Sequence, residues 1–186
     1  HLSGTGCNDL GDILLMPMNE IQTEQGDRKD GSNGYASTYS HKNEVVRPYY
    51  YSVLLDKYQI RAELTATARV GLHRYTYPSG KPSYLLLDLQ SGNGDDAYAC
   101  YARKIDDYTI AGYRYVHGWS PDRKVYFVLK SNMKIDQFTL YNDTYSQSYA
   151  GFTVDNGGEV YAAGPEGNPY RDFGVRSGAY WVNFTQ

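Results

Sequence analysis

Chemistry could begin in the first twelve residues. His1, Ser3, Thr5, Asn8, Asp9 and Asp12 place imidazole, hydroxyl, amide and carboxylate groups among Gly4, Gly6 and Gly11. Glycine lets backbone N–H groups come close to a ligand and adopts turn conformations closed to other residues. The polar side chains suit the hydroxyls of a small polar ligand. On residue types alone, a purely structural loop answers the same composition.

Other constellations are weaker. Ser79-Gly80-Lys81 lacks the upstream glycine and following hydroxyl of a phosphate loop, and Pro82 opposes the helix such a loop requires, so it reads as a hairpin turn. Asp27, Asp30 and Asn33, and separately Asn93, Asp95 and Asp96, carry oxygen ligands. Neither set has the spacing or distal Glu of an EF-hand, and both read as solvated turns. His41, His73 and His117 belong to no HxH or HExxH pattern, and no GxSxG elbow is present. A hydrolytic carboxylate pair is defined by separation in space, about 5 Å or about 6.5–9.5 Å, and not by sequence order. Cys7 and Cys100 leave one bridge or two separate thiols, and no CxxC supports zinc.

These groups need elements to hold them, and the composition says which. The 186 residues carry a net charge of −3, which gives no drive toward nucleic acid or an anionic membrane. No apolar run approaches the roughly 18–20 residues that cross a bilayer as a helix. Tyr supplies 21 residues against 5 Phe and 2 Trp, and Gly supplies 19. Tyrosine fits a pleated surface with its ring on the core and its hydroxyl in water, so the balance favours strands.

The patterning agrees. Tyr49 to Leu55 and Ile60 to Thr67 alternate faces around the polar break Asp56-Lys57, predicting a hairpin. Ile13 to Met16 predicts a buried strand that Pro17 stops. Residues 23–40 predict a long, mobile polar loop, and Asn19 to Glu24 at most one helical turn. Further strands are predicted at 70–77, 84–89, 97–102, 109–117, 124–130, 137–141, 151–154, 160–163 and 180–184, separated by Gly/Asn/Pro turns. Many short strands at this spacing make an all-β antiparallel sandwich or barrel, here taken as one domain over residues 1–186.

Longer strings carry a resemblance. His1-Leu2-Ser3-Gly4-Thr5-Gly6-Cys7 with Gly11-Asp12-Ile13-Leu14-Leu15-Met16-Pro17, then Tyr50 to Leu55, then Ala62 to Pro78, resemble in order the N-terminal domain of glycoside hydrolase family 92, the exo-acting α-mannosidases. Gly112-Tyr113-Arg114, Gly118-Trp119 and Lys124-Val125-Tyr126-Phe127 resemble its later block. The resemblance implies a β-sandwich of the large supersandwich, galactose-mutarotase-like kind, joined in the parent enzyme to an (α/α)6 catalytic barrel. It also implies a calcium-dependent inverting mechanism, with calcium and both catalytic carboxylates expected in that barrel. This chain is then a part of a larger periplasmic or secreted bacterial enzyme, inactive alone, with an exposed sheet edge that favours association.

Under the resemblance, loops on one rim of the sandwich meet the mannose-containing glycan. His1, Ser3, Gly4 and Asp9 are the candidate contacts. Trp119 is a further one, because an aromatic face suits the C–H face of a hexose; core packing is its competing role. Arg69 and Arg74 are expected to pair with Glu63 across strands. Two other readings stand beside this one: a free-standing carbohydrate-binding module, and a scaffold whose sheet docks the barrel.

Overall fold

The computed structural model describes residues 11–22, 24–27, 29–92, 96–118, 120–141, 147–149, 152–154, 160–162 and 179–184. Among them the architecture is all-β and antiparallel, as the alternation predicts. Chain order gives β1 (Leu14–Met18), β2 (Val45–Arg47), β3 (Tyr50–Leu55), β4 (Ile60–Ala66), β5 (Gly71–Thr76), β6 (Tyr84–Asp88) and β7 (Asp96–Asp106). There follow β8 (Thr109–His117), β9 (Arg123–Lys130), β10 (Ile135–Tyr141), β11 (Gln147–Tyr149), β12 (Phe152–Val154), β13 (Val160–Ala162) and β14 (Ala179–Phe184). A single 3-10 turn, His41–Asn43, accompanies them, and no helix among the described residues is long and apolar enough to cross a membrane.

Contacts group the chain into two compact units, His1–Leu15 with Leu86–Thr185, and Met16–Leu85 with Gln186. In the second, strands pair in the order β2-β3-β4-β5. Register sets Val53 opposite Ala62, which faces Tyr75 on its other side, and Ser52 opposite Glu63, which in turn faces Arg74. One face therefore takes the apolar side chains, with Val53, Ala62 and Ile60 buried, and the other takes the charges. Four residues, Asp56 to Gln59, turn the hairpin between β3 and β4.

The polar segment before β2 is more closed than its composition suggests. Tyr35 N donates to Glu24 O at 2.7 Å and Ala36 N to Gln25 O at 3.0 Å, knitting its base. Asp27 and Asp30 spend carboxylate oxygens on the backbone N–H groups of Lys29 and Ser32. Lys57 Nζ donates to the carbonyls of Gly31 and Gly34. Gly26 and Gly34 pass so closely that a Cβ on Gly34 would strike the backbone of Gly26 and Gln25. No helical turn forms in the described part of residues 19–24; Asn19 instead donates to Tyr58 O at 2.7 Å.

The first unit contains the meander β7-β8-β9 and the three-stranded sheet β11-β12-β13. A four-stranded sheet runs β1-β6-β14-β10, with the division between units falling inside β1 and β6. Proline does not end β1 as predicted. Pro17 lies within it, and among the described residues β1 is the outer strand of its sheet, the place in a sheet that tolerates proline. Along β8 the residues Ile110, Arg114 and Val116 are buried while Tyr113 and Tyr115 face the other way. Gly112 allows the sheet to close: a Cβ there would meet the carbonyl of Tyr101 and come within 2.8 Å of the Phe127 ring. Among the described residues β9 ends its sheet with Lys124 and Lys130 flanking Tyr126 and Val128 on its exposed face, and such charges discourage pairing of the expected free edge.

Candidate functional site

His1, Ser3, Gly4, Asp9 and Trp119 all lie outside the described residues, as do Cys7 and the Asn93–Asp95 turn. Their described flanks form the best-organised polar cluster of the first unit. Asp12 Oδ1 accepts hydrogen bonds from Arg123 Nε at 3.1 Å and Arg123 Nη2 at 2.7 Å. Arg114 Nη1 lies 3.6 Å from the same oxygen. Arg114 is fully buried, and its Nε donates to Leu89 O at 2.7 Å.

The local reasons are plain. Arg114 occupies a position on the buried face of β8, between Ile110 and Val116, where an unpaired guanidinium would be costly. Arg123 opens β9 opposite Val116 and so projects beside it. Asp12, just before β1, answers both. Sequence reasoning offered Asp12 as a ligand-sized hydrogen-bond partner; the structure commits one of its oxygens to arginine. Arg114 and Arg123 were given no role. The available signal was a charged residue at an apolar-face position of an alternating strand.

The turn on the far side is tied as well. His117 Nδ1 donates to Pro121 O at 2.6 Å, and Gly118 N to Ser120 O at 3.2 Å. Tyr98 donates to Asp122 Oδ1 at 2.6 Å, and Lys124 stands 3.2 Å from Asp122 Oδ2. The Tyr98 hydroxyl, then Lys124, holds the Asp122 carboxyl below its ordinary value, and the same bond raises Tyr98. Tyr98 reaches this face because a β-bulge between Ala97 and Ala99 shifts the register of β7.

A ladder of rings covers the outer face of this meander. Tyr98 stacks on His117 at 4.2 Å, Tyr113 on Tyr115 at 4.5 Å and Tyr101 on Tyr113 at 5.5 Å. Tyr115 and Tyr126 share a hydroxyl hydrogen bond of 2.8 Å, which pushes Tyr115 up to about 12. A sugar platform needs an open ring face. Tyr98 with His117 and Tyr113 with Tyr115 turn ring faces to one another and stiffen the sheet, whereas Tyr126 is 67% exposed and meets its neighbours tilted or edge-on.

The second unit supplies a different arrangement. Glu63 accepts from Arg74 Nε at 2.7 Å, Arg74 Nη2 at 2.5 Å and the Tyr50 hydroxyl at 2.7 Å. These bonds, Arg74 first, lower its carboxyl to about 2, so Glu63 carries no proton to donate near neutrality. The expected Arg74–Glu63 pair is therefore present, whereas Arg69 lies exposed in the turn before β5. Glu44 is similarly lowered by Tyr51 and then His41, whose Nδ1 stands 2.5 Å from it. A shallow depression of about 420 Å³ opens beside Val46, Tyr49, Tyr51, Leu64 and His73. Two of its polar groups are engaged, Tyr51 with Glu44 and His73 with the Tyr75 hydroxyl, while Arg47 and Tyr49 also line it. Among the described residues no three His, Cys, Asp or Glu side chains converge as a metal-binding group.

Comparison with known proteins decides the family. The model of the glycosyl hydrolase family 92 N-terminal domain matches residues 1–186. The chain belongs to glycoside hydrolase family 92. Its fold is similar to that of the family GH92 α-mannosidase BT3965 from Bacteroides thetaiotaomicron, with a TM-score of 0.78 and 30% identity over 100% of this chain. The structure of that enzyme in complex with mannoimidazole matches equally well, with the same TM-score, identity and coverage. In both, this chain spans 23% of the relative's length. No curated protein compared with the chain matches it. The fold class expected from the strand alternation is thus the β fold of the family 92 N-terminal domain.

Proposed function

We propose that this chain is the non-catalytic β-sandwich part of a calcium-dependent, inverting exo-α-mannosidase of the α-1,2 type. Its rim loops line the mannose site, and its sheets support an (α/α)6 catalytic barrel. Family membership over the whole length supports the reading, as does the likeness to an α-mannosidase of the family seen in complex with mannoimidazole.

The observation that carries the rim assignment is the Asp12–Arg123 contact. It joins the foot of the opening segment, with its candidates His1, Ser3, Gly4 and Asp9, to the turn that contains Trp119. Calcium and the two catalytic carboxylates are assigned, on the family resemblance, to the remainder of the parent protein. One carboxylic acid there would protonate the leaving oxygen and a carboxylate would activate water. The reading extends to a periplasmic or secreted bacterial enzyme acting on mannose-containing glycans. It is favoured over a free-standing carbohydrate-binding module because the family 92 N-terminal domain accounts for the whole of residues 1–186.

The full-length protein tests it. Incubated with α-1,2-mannobiose, it should release mannose whose β-anomer appears first by NMR, and chelation of calcium should stop the reaction. An α-anomer formed first would overturn inversion, and turnover that survives chelation would overturn the calcium requirement.

A further inference from the structure

We infer that Asp12 is a positioning residue that holds the sugar-facing rim in shape, through one carboxylate oxygen set between Arg123 and Arg114. The inference rests on the function proposed above and adds to it the residue that fixes the rim's geometry.

Three parts of the fold meet at that oxygen: the segment before β1, the central strand β8 and the first residue of β9. They are not equally free to move. Arg114 is fully buried and anchored to Leu89 O, so it serves as a fixed reference. Arg123 and Asp12 have side chains only 15% and 21% exposed, so water competes weakly for their bond. A guanidinium is planar and donates along fixed directions, so the contact specifies orientation as well as distance. On one side Asp12 follows the buried Gly11. On the other, Arg123 follows a turn closed by the His117–Pro121 and Tyr98–Asp122 bonds, so a displacement of Arg123 carries that turn with it. Asp12 and Arg123 are 111 residues apart, and the contact is therefore a tertiary registration of two chain segments. Loosening it removes preorganisation from groups that bind substrate, which weakens binding while leaving catalytic groups elsewhere untouched.

The test uses the full-length protein with Asp12→Asn, and Arg123→Met as a second variant should the first fold poorly. KM for α-1,2-mannobiose should rise ~10-fold with kcat held within about twofold. Hydrogen exchange in peptides covering residues 11–18 and 117–123 should quicken ~10-fold, with residues 60–76 unchanged. Asp12→Glu should restore part of both effects. Exchange unchanged in the two peptides, exchange quickened throughout, or an unchanged KM beside faster local exchange would each overturn the inference. A wild-type protein that releases no mannose would instead overturn the proposed function. Exchange would then still decide whether Asp12 registers the two segments.

Discussion

Two ion pairs of the same chemistry sit in the two sheets, and their arginines meet opposite conditions. In β2–β5, Glu63 and Arg74 face each other on the outer side of adjacent strands, and the Arg74 side chain is 73% exposed. In the β7–β9 meander, Arg114 is fully buried and reaches Asp12 from inside the sheet. The first pair follows from register alone: antiparallel pairing sets residues 63 and 74 opposite, and opposite charges on a wet face add modestly. The second follows from burial: a guanidinium enclosed by apolar side chains must be answered, and the answer comes from a distant segment. A cross-strand pair reinforces a pairing that already exists. A buried charge recruits a contact that would not otherwise form, and here it roots a loop.

The largest expected effect breaks this contrast directly. Arg114→Met leaves Leu89 O without that donor and removes one arginine from Asp12, for an expected loss of about 3 kcal/mol in urea unfolding. Arg74→Met should cost much less, and its effect should shrink further in high salt because the side chain is exposed. Equal losses at the two sites would erase the distinction.

A smaller effect sharpens it from the other side. Glu63 has its carboxyl lowered to about 2 from an ordinary value of 4.5, so the folded form holds its proton less tightly than the unfolded one. The stability it contributes is complete above about pH 4.5 and is lost as pH falls toward about 2. Thermal midpoints of the wild type should therefore drop more steeply across that window than those of Glu63→Gln. Parallel curves would show that the pair contributes nothing to folding.

The two regions were also unequally legible. Period-two alternation located β3, β4, β5 and β8 nearly to the residue, most firmly β4 and β8, where alternate residues are buried. It missed β2, whose three residues are too few to show a period, and it stopped β1 at Pro17, because alternation does not say which strand lies at an edge. The Glu63–Arg74 pair was readable because hairpin register fixes it. The Asp12 cluster was not: nothing local links residues 12, 114 and 123. Only the misfit of Arg114 between Ile110 and Val116 hinted that a partner must exist. The opening segment and Trp119 were picked out by residue type and family resemblance. The structure adds where their flanks are anchored.

The central claim is that these residues shape a mannose site without performing hydrolysis. Mannose release from α-1,2-mannobiose with calcium, measured side by side for residues 1–186 alone and for the full-length protein, tests it most directly. The account predicts turnover by the full-length protein and none by residues 1–186. Sustained mannose release by residues 1–186 alone would contradict it.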